Sequence, residues 1–192
     1  MRIGRLMVLV SLVAVAAGLV GCSDDDDGVV PSSPADTTVA LLPTECPAAG
    51  DQPLAVDQIA PAIAAVEAEL GGPQEYFEVN AADVVVNLFV AGTAADGSST
   101  VTPYAFSGGE LTAQPASPAD GNRFAADAVR IDPQRVLSCL VEQLPSSVLT
   151  AFVVEGGPNG MVRYSVVVAS EQGGQLVVEV SGSGQVLSVD PV

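Results

Sequence analysis

Hydrophobic positions fall into three regimes along the chain. Leu6 to Val20 is an apolar run of fifteen residues broken only by Ser11 and Gly18. Ser23 to Glu45 shows no sustained period. From about residue 54 onward, helical and strand periods follow each other in order. Ile59, Ile63, Val66 and Leu70 fall at i, i+4, i+7 and i+11, one stripe of a helix predicted over Asp57 to Leu70 and stopped by Gly71-Gly72-Pro73. Pro61 is tolerable there because it sits in the first turn. A second helix starts at Asp132 as N-cap with Pro133 in the first helical position. Its stripe is Val136, Leu137, Leu140, Val141 and Leu144, closed by Pro145.

Strand patterns follow each helix. After the first come Tyr76–Val79, Val84–Val90, Val101–Phe106 and a short piece near Leu111. After the second come Val148–Val154, Val162–Ala169, Leu176–Val180 and Val186–Val189. Turn chemistry separates them at Asp96-Gly97, Gly108-Gly109, Gly156 to Gly160, Gly173-Gly174 and Gly182 to Gly184. Phe124 to Ile131 is a candidate extra strand leading into the second helix. Corresponding points lie about 74–78 residues apart, with Leu70 matching Leu144, Phe77 matching Phe152, Val84 matching Val162 and Leu111 matching Leu187. The expected fold class is therefore α+β: two similar helix-plus-antiparallel-sheet units, residues 54–115 and 124–192, packed as one domain over 46–192.

Alternation assigns the faces. Val162, Tyr164, Val166 and Val168 share one side of their strand, with Arg163 and Ser165 on the other; Leu176, Val178 and Val180 oppose Glu179. One sheet face is expected under the helices and the other in water. Val85, Phe89, Val167 and Val177 interrupt the polar face, either as ordinary surface residues or as part of a binding surface.

The first apolar run is too short to span a bilayer, which needs about 20 apolar residues. With Arg2 and Arg5 ahead of it, it reads as a secretory signal. It ends in Leu19-Val20-Gly21-Cys22, which resembles the lipobox of bacterial lipoprotein precursors. That resemblance implies removal of residues 1–21 and diacylglyceryl transfer to the Cys22 sulfur. Two acyl chains hold a protein on a membrane stably where one does not, so the expected location is the extracytoplasmic face of the cell membrane. Residues 22–45, with Asp24 to Asp27 and Ser/Pro/Thr clusters, read as an acidic disordered tether about 25–30 Å in mean reach. The four adjacent aspartates lack the interleaving and glycine turn of a calcium loop; a solvated, self-repelling spacer fits them better.

Setting Cys22 aside leaves Cys46 and Cys139. An oxidising compartment and an even pair favour a disulfide, closing a loop of roughly 94 residues worth about 4–5 kcal/mol in the chain-entropy model. Cys139 as a small buried apolar residue is the alternative. Without histidine, a metal site on two cysteines has little chemical basis.

Composition narrows function further. The chain has 23 acidic residues against six arginines, no lysine and no histidine, for a formal net charge of −17. No basic surface exists to neutralise nucleic-acid phosphates, and imidazole-dependent triads and zinc sites are excluded. No GxSxG elbow, SxxK, P-loop or HExxH occurs. Glu67 and Glu69 point to different helix faces, and Asp83, Glu155, Glu179 and Asp190 fall at strand ends or on the wet face. No catalytic residue, metal or cofactor is expected, and the protein is read as a non-enzyme. The alanine, valine and glycine bias with no lysine also resembles high-GC actinobacterial proteins.

The C-terminal stretch VRYSVVVASEQGGQLVVEVSGSGQVLSVD, preceded by an amphipathic helix, resembles the PepSY-type and beta-lactamase-inhibitor-protein-like units found, often in tandem, in bacterial exported proteins. The resemblance implies an inhibitory or partner-binding role and transfers no functional residue. The expected function is a membrane-anchored protein-interaction module whose contact face centres on Arg163, Val167, Val177 and Glu179, with an envelope protein of basic surface as partner. The alternative is a carrier of an apolar ligand or lipid, and a hydrolase using paired carboxylates is a third possibility.

Overall fold

Strand pairing dominates the computed structural model, which describes residues 54–170 and 173–192. Cys22, the 22–45 tether and Cys46 lie outside the described residues. The class is α+β, with helices α1 (Ile59–Leu70) and α2 (Pro133–Gln143) against one antiparallel sheet. The strands are β1 (Glu75–Ala81), β2 (Val86–Thr93), β3 (Ser99–Ser107), β4 (Glu110–Ala113), β5 (Ser117–Pro118), β6 (Phe124–Ala125), β7 (Ser147–Gly156), β8 (Val162–Ser170), β9 (Gln175–Val180) and β10 (Val186–Pro191). Their spatial order is β10-β9-β8-β7-β1-β2-β3-β4, with β5 on β3 and β6 on β1.

Two four-strand meanders thus meet at β1 and β7, where Glu78 to Ala81 pair with Glu155 to Phe152. The rest of that edge of β1 is taken by β6, whose Ala125 and Phe124 face Glu75 and Tyr76. The crossover from one partner to the other is tight. A Cβ on Gly156 would collide with the Asn122 carbonyl and come within 2.9 Å of Arg123 N, so only glycine lets the two segments share the edge.

Period-2 alternation holds across the sheet. Val79, Ala81, Val86, Leu88, Val90, Tyr104 and Phe106 of the first meander are buried on one face. So are Leu149, Phe152, Val154, Tyr164, Val166, Val168, Val178 and Val180 of the second. They form a single core with Ile59, Ala62 and Val66 of α1 and Val136, Leu137 and Leu140 of α2. Both helices therefore cover the same face.

The helices differ from expectation in detail. Residues Val56–Gln58 form a 3-10 turn before α1, and its buried residues are Ile59, Ala62 and Val66; of the expected stripe, Ile63 is half-buried and Leu70 is 44% exposed. The left-handed Gly71 (φ 80°) ends α1, and Gly72 N–H donates to the Glu67 carbonyl at 2.8 Å, satisfying a terminal carbonyl. α2 begins as predicted: Asp132 Oδ1 accepts from Arg135 N–H at 3.2 Å, with Pro133 next. Val141 is exposed, whereas Ser138 and Cys139 are buried. The candidate strand over Phe124 to Ile131 shrinks to the two residues of β6. A 3-10 turn follows at Ala126–Ala128, and then an irregular segment tied to the sheet by Arg130 N–H donating to Tyr164 Oη at 2.8 Å.

The β2–β3 turn is held by Asp96, whose Oδ1 accepts from Ser98 Oγ at 2.7 Å and Ser98 N–H at 3.0 Å. These bonds, the side-chain one first, lower the Asp96 pKa. Its small contribution to stability is present above the ordinary aspartate range and is lost as pH falls through the depressed value.

Replacing Gly156 by alanine is expected to destabilise the protein by about 1–3 kcal/mol, the usual cost of forcing atoms into a filled space. Urea denaturation checks this; an unchanged midpoint would show that the β6–β7 crossover has room.

Candidate interaction face and helix-side cleft

Residues pointing away from the helices line up across strands. One row runs Ala105, Asn87, Asn80, Val153, Ser165, Glu179 and Ser188, each opposite the next. Beside it lies Ala151, Val167, Val177 and Asp190. On the other side, Pro103, Phe89, Glu78, Glu155 and Arg163 form a third. The four residues expected on the contact face are thus neighbours on one side of the sheet. Val167 faces Val177, and Arg163 stands one step along β8 from Ser165, which faces Glu179. Val167, Val177 and Glu179 are half-buried by their strand neighbours and Arg163 is exposed.

Sequence reading missed the polar chain at the centre of this face. Asn87 Nδ2 donates to Asn80 Oδ1 at 2.9 Å, and Asn80 Nδ2 donates to Glu78 Oε1 at 2.6 Å. Glu78 stands directly opposite Glu155, a like-charge arrangement that alone would be unfavourable. Arg163 offsets it by an ion pair from Nη2 to Glu155 Oε1. Ser188 Oγ reaches Glu179 Oε2 at 3.4 Å. Nearby, the Arg123 guanidinium lies 5.2 Å from the Phe77 ring centroid, donates to Ser99 Oγ at 2.6 Å and approaches Glu75 at 3.6 Å. Each contact needs the strand order, so alternation alone could place these residues on a face but could not pair them.

The opposite side of the sheet carries a second feature. Between α1 and the Ala126–Pro133 segment lies a half-open cleft of about 390 Å³. Ile59, Ile63, Val129 and Ile131 form its walls, and Phe152 and Val154 also line it. Asp57 and Glu67 line it too. An adjoining hollow of about 270 Å³ shares Glu67 and Ala126 and adds Gln74 and Asp127. The Glu67 carboxylate accepts from Gln74 N–H at 3.3 Å. Tyr76 is fully buried, packs 5.9 Å from the Phe124 ring, and its hydroxyl has no hydrogen-bond partner among the described residues. Burial first, and the Glu67 charge second, push its ionisation far above the ordinary phenol range, so it stays a neutral hydroxyl.

Among the described residues, no three acidic or cysteine side chains converge as metal ligands, and no helix is long and apolar enough to cross a membrane. Cys139 is buried and its sulfur is disulfide-bonded, which removes it as a nucleophile. Of the carboxylates weighed for acid–base work, Glu67 turns toward the cleft while Glu69 is exposed, and Glu155 is tied to Arg163. Comparison with known proteins found no matching family model, no matching curated protein and no matching solved structure.

The Arg163–Glu155 pair is about half exposed, so its contribution to folding is small. Arg163→Ala is expected to shift unfolding free energy by no more than about 0.5 kcal/mol, measured by urea denaturation. A loss several times larger would make the pair a structural element of the sheet rather than a free element of its surface.

Proposed function

We propose that the protein is a lipid-anchored, extracytoplasmic binding module that engages a protein partner through the open face of its sheet, without catalysis. One observation carries this reading. The buried apolar core and both helices lie on one side of an eight-strand order, while the other side carries a mixed apolar and acidic field with no described helix over it. Phe89, Val153, Val167 and Val177 supply apolar contact, and Glu78, Glu155, Glu179 and Asp190 outnumber Arg163. A basic, partly apolar surface complements that field, and its association is steered by charge. Anchorage rests on the Leu-Val-Gly-Cys ending of the signal, and the acidic tether would hold the domain clear of the membrane.

The same proposal includes a duplicated architecture over 54–115 and 124–192, as the likeness to tandem PepSY-type and beta-lactamase-inhibitor-protein-like units implies. The registers support it. A shift of 75 residues carries the Glu78–Glu155 pair onto Val153–Asn80, itself a pair, with Val79–Val154 at the centre. A shift of 76 carries Leu88–Tyr104 onto Tyr164–Val180, and Val90–Thr102 onto Val166–Val178. The disulfide of Cys139 is assigned in this reading to Cys46, fastening the start of the domain to α2.

A second reading, binding of an apolar ligand, is favoured by the helix-side cleft, whose volume lies at the lower end of the about 300–1,000 Å³ typical of small-molecule sites.

Two experiments test the main reading. With Cys22→Ala, the exported protein is expected to lose its lipid and leave the membrane fraction on washing; continued tight association would contradict anchorage at this cysteine. In affinity capture from envelope extracts, the wild type should retain a partner at about 50 mM salt and lose most of it at about 500 mM, as screening shortens. Val177→Arg should reduce capture at least tenfold and Glu142→Arg, on α2, should not. Equal loss from both variants, or capture of lipid with no protein, would contradict the sheet-face reading.

A further inference from the structure

We infer that the helix-side cleft is a binding site for a small single-chain cationic amphiphile, an alkylammonium in chemical class. The inference rests on the apolar-ligand reading and gives that ligand its chemistry. The walls supply the apolar half: Ile59, Ile63, Val129 and Ile131 present branched aliphatic surface, backed by the buried Phe152 of the sheet. The cleft keeps its form because both walls are tied down. α1 is packed into the core through Ala62 and Val66, and the opposite wall is held by the Arg130-to-Tyr164 hydrogen bond. A preformed apolar slot loses little ordering entropy on binding.

Charge selects the head group. Asp57 and Glu67 line the cleft, and Glu67 and Asp127 line the adjoining hollow. No basic residue is among the described residues lining either space. Beyond its long contact with Gln74 N–H, Glu67 has acceptor capacity left for an ammonium donor. A carboxylate head would meet like charges in a partly desolvated setting, which disfavours it. An alkyl chain along the Ile59–Ile63 wall with its ammonium at the Glu67–Asp127 end satisfies both halves. Such a ligand leaves the sheet face untouched.

The test is calorimetric titration of the full chain in lipid nanodiscs, with empty discs as the blank, using hexylammonium, hexanol and hexanoate. Hexylammonium is expected to saturate one site at least tenfold more tightly than hexanol, with hexanoate weaker still. Glu67→Gln together with Asp127→Asn should bring hexylammonium to the hexanol level while hexanol is unchanged. Ala64→Phe, at an exposed cleft-lining position, should abolish saturable binding of all three and leave the circular dichroism spectrum intact. Hexanol or hexanoate binding as tightly as hexylammonium overturns the cationic class while leaving an apolar-ligand site standing. Saturable binding by none of the three, or binding that survives Ala64→Phe, overturns the site itself.

Discussion

The pairing of Glu78 to Ala81 with Phe152 to Glu155 is the constraint on which the rest of the molecule depends. Every other long strand pair joins neighbours in sequence through a short turn; this one joins segments some 75 residues apart. Closing so long a loop is entropically unfavourable and must be offset by what it brings together. The return is a single core. Val79 and Ala81 from one meander and Phe152 and Val154 from the other become adjacent on the covered face, where α1 and α2 share them. The same pairing sets Glu78 against Glu155 on the other face, where Arg163 meets Glu155 and the Asn80–Asn87 chain meets Glu78. Gly156 marks where that pairing must yield to β6.

Much of this was legible in the sequence because the period-2 alternation is clean. Tyr164, Val166 and Val168 against Arg163 and Ser165 fix the faces of β8 without reference to anything else, and the same holds for β9. Asp132-Pro133 fixes the start of α2 by cap chemistry alone. Eight strand positions follow from alternation and turn residues, with boundaries off by three residues at most. What could not be read is what only tertiary pairing decides. Leu70 belongs to the helical stripe by spacing but lies at the end of α1, past the part that Ala62 and Val66 bury. Phe124 to Ile131 has strand composition, yet β1 offers it only two residues of edge before β7 takes over. The cleft is likewise absent from any local pattern, because its walls come from residues some 70 positions apart.

The two sides of the sheet carry different physics. The covered side is built from the apolar core, and Asp57 and Glu67 stand where the cleft opens. The uncovered side is a polar field with apolar residues embedded in it, and its charges meet neighbours on the same strand, as Glu78 meets Asn80 and Asp190 meets Ser188, or on the next, as Glu155 meets Arg163 and Glu179 meets Ser188; together they set the pattern it presents. An acidic chain with no lysine leaves few cations to mask that pattern. Binding by either side would leave the strand order unchanged, which suits a domain whose meanders share one core.

Native-state hydrogen exchange, resolved by residue, tests the central claim that the β1–β7 pairing makes the two meanders one cooperative unit. The account predicts that amides of residues 78–81 and 152–155 exchange only at the global unfolding free energy, together with the slowest amides of β2 and β8. Exchange of β7 to β10 through a separate, lower-energy opening while β1 to β4 stay protected would contradict it.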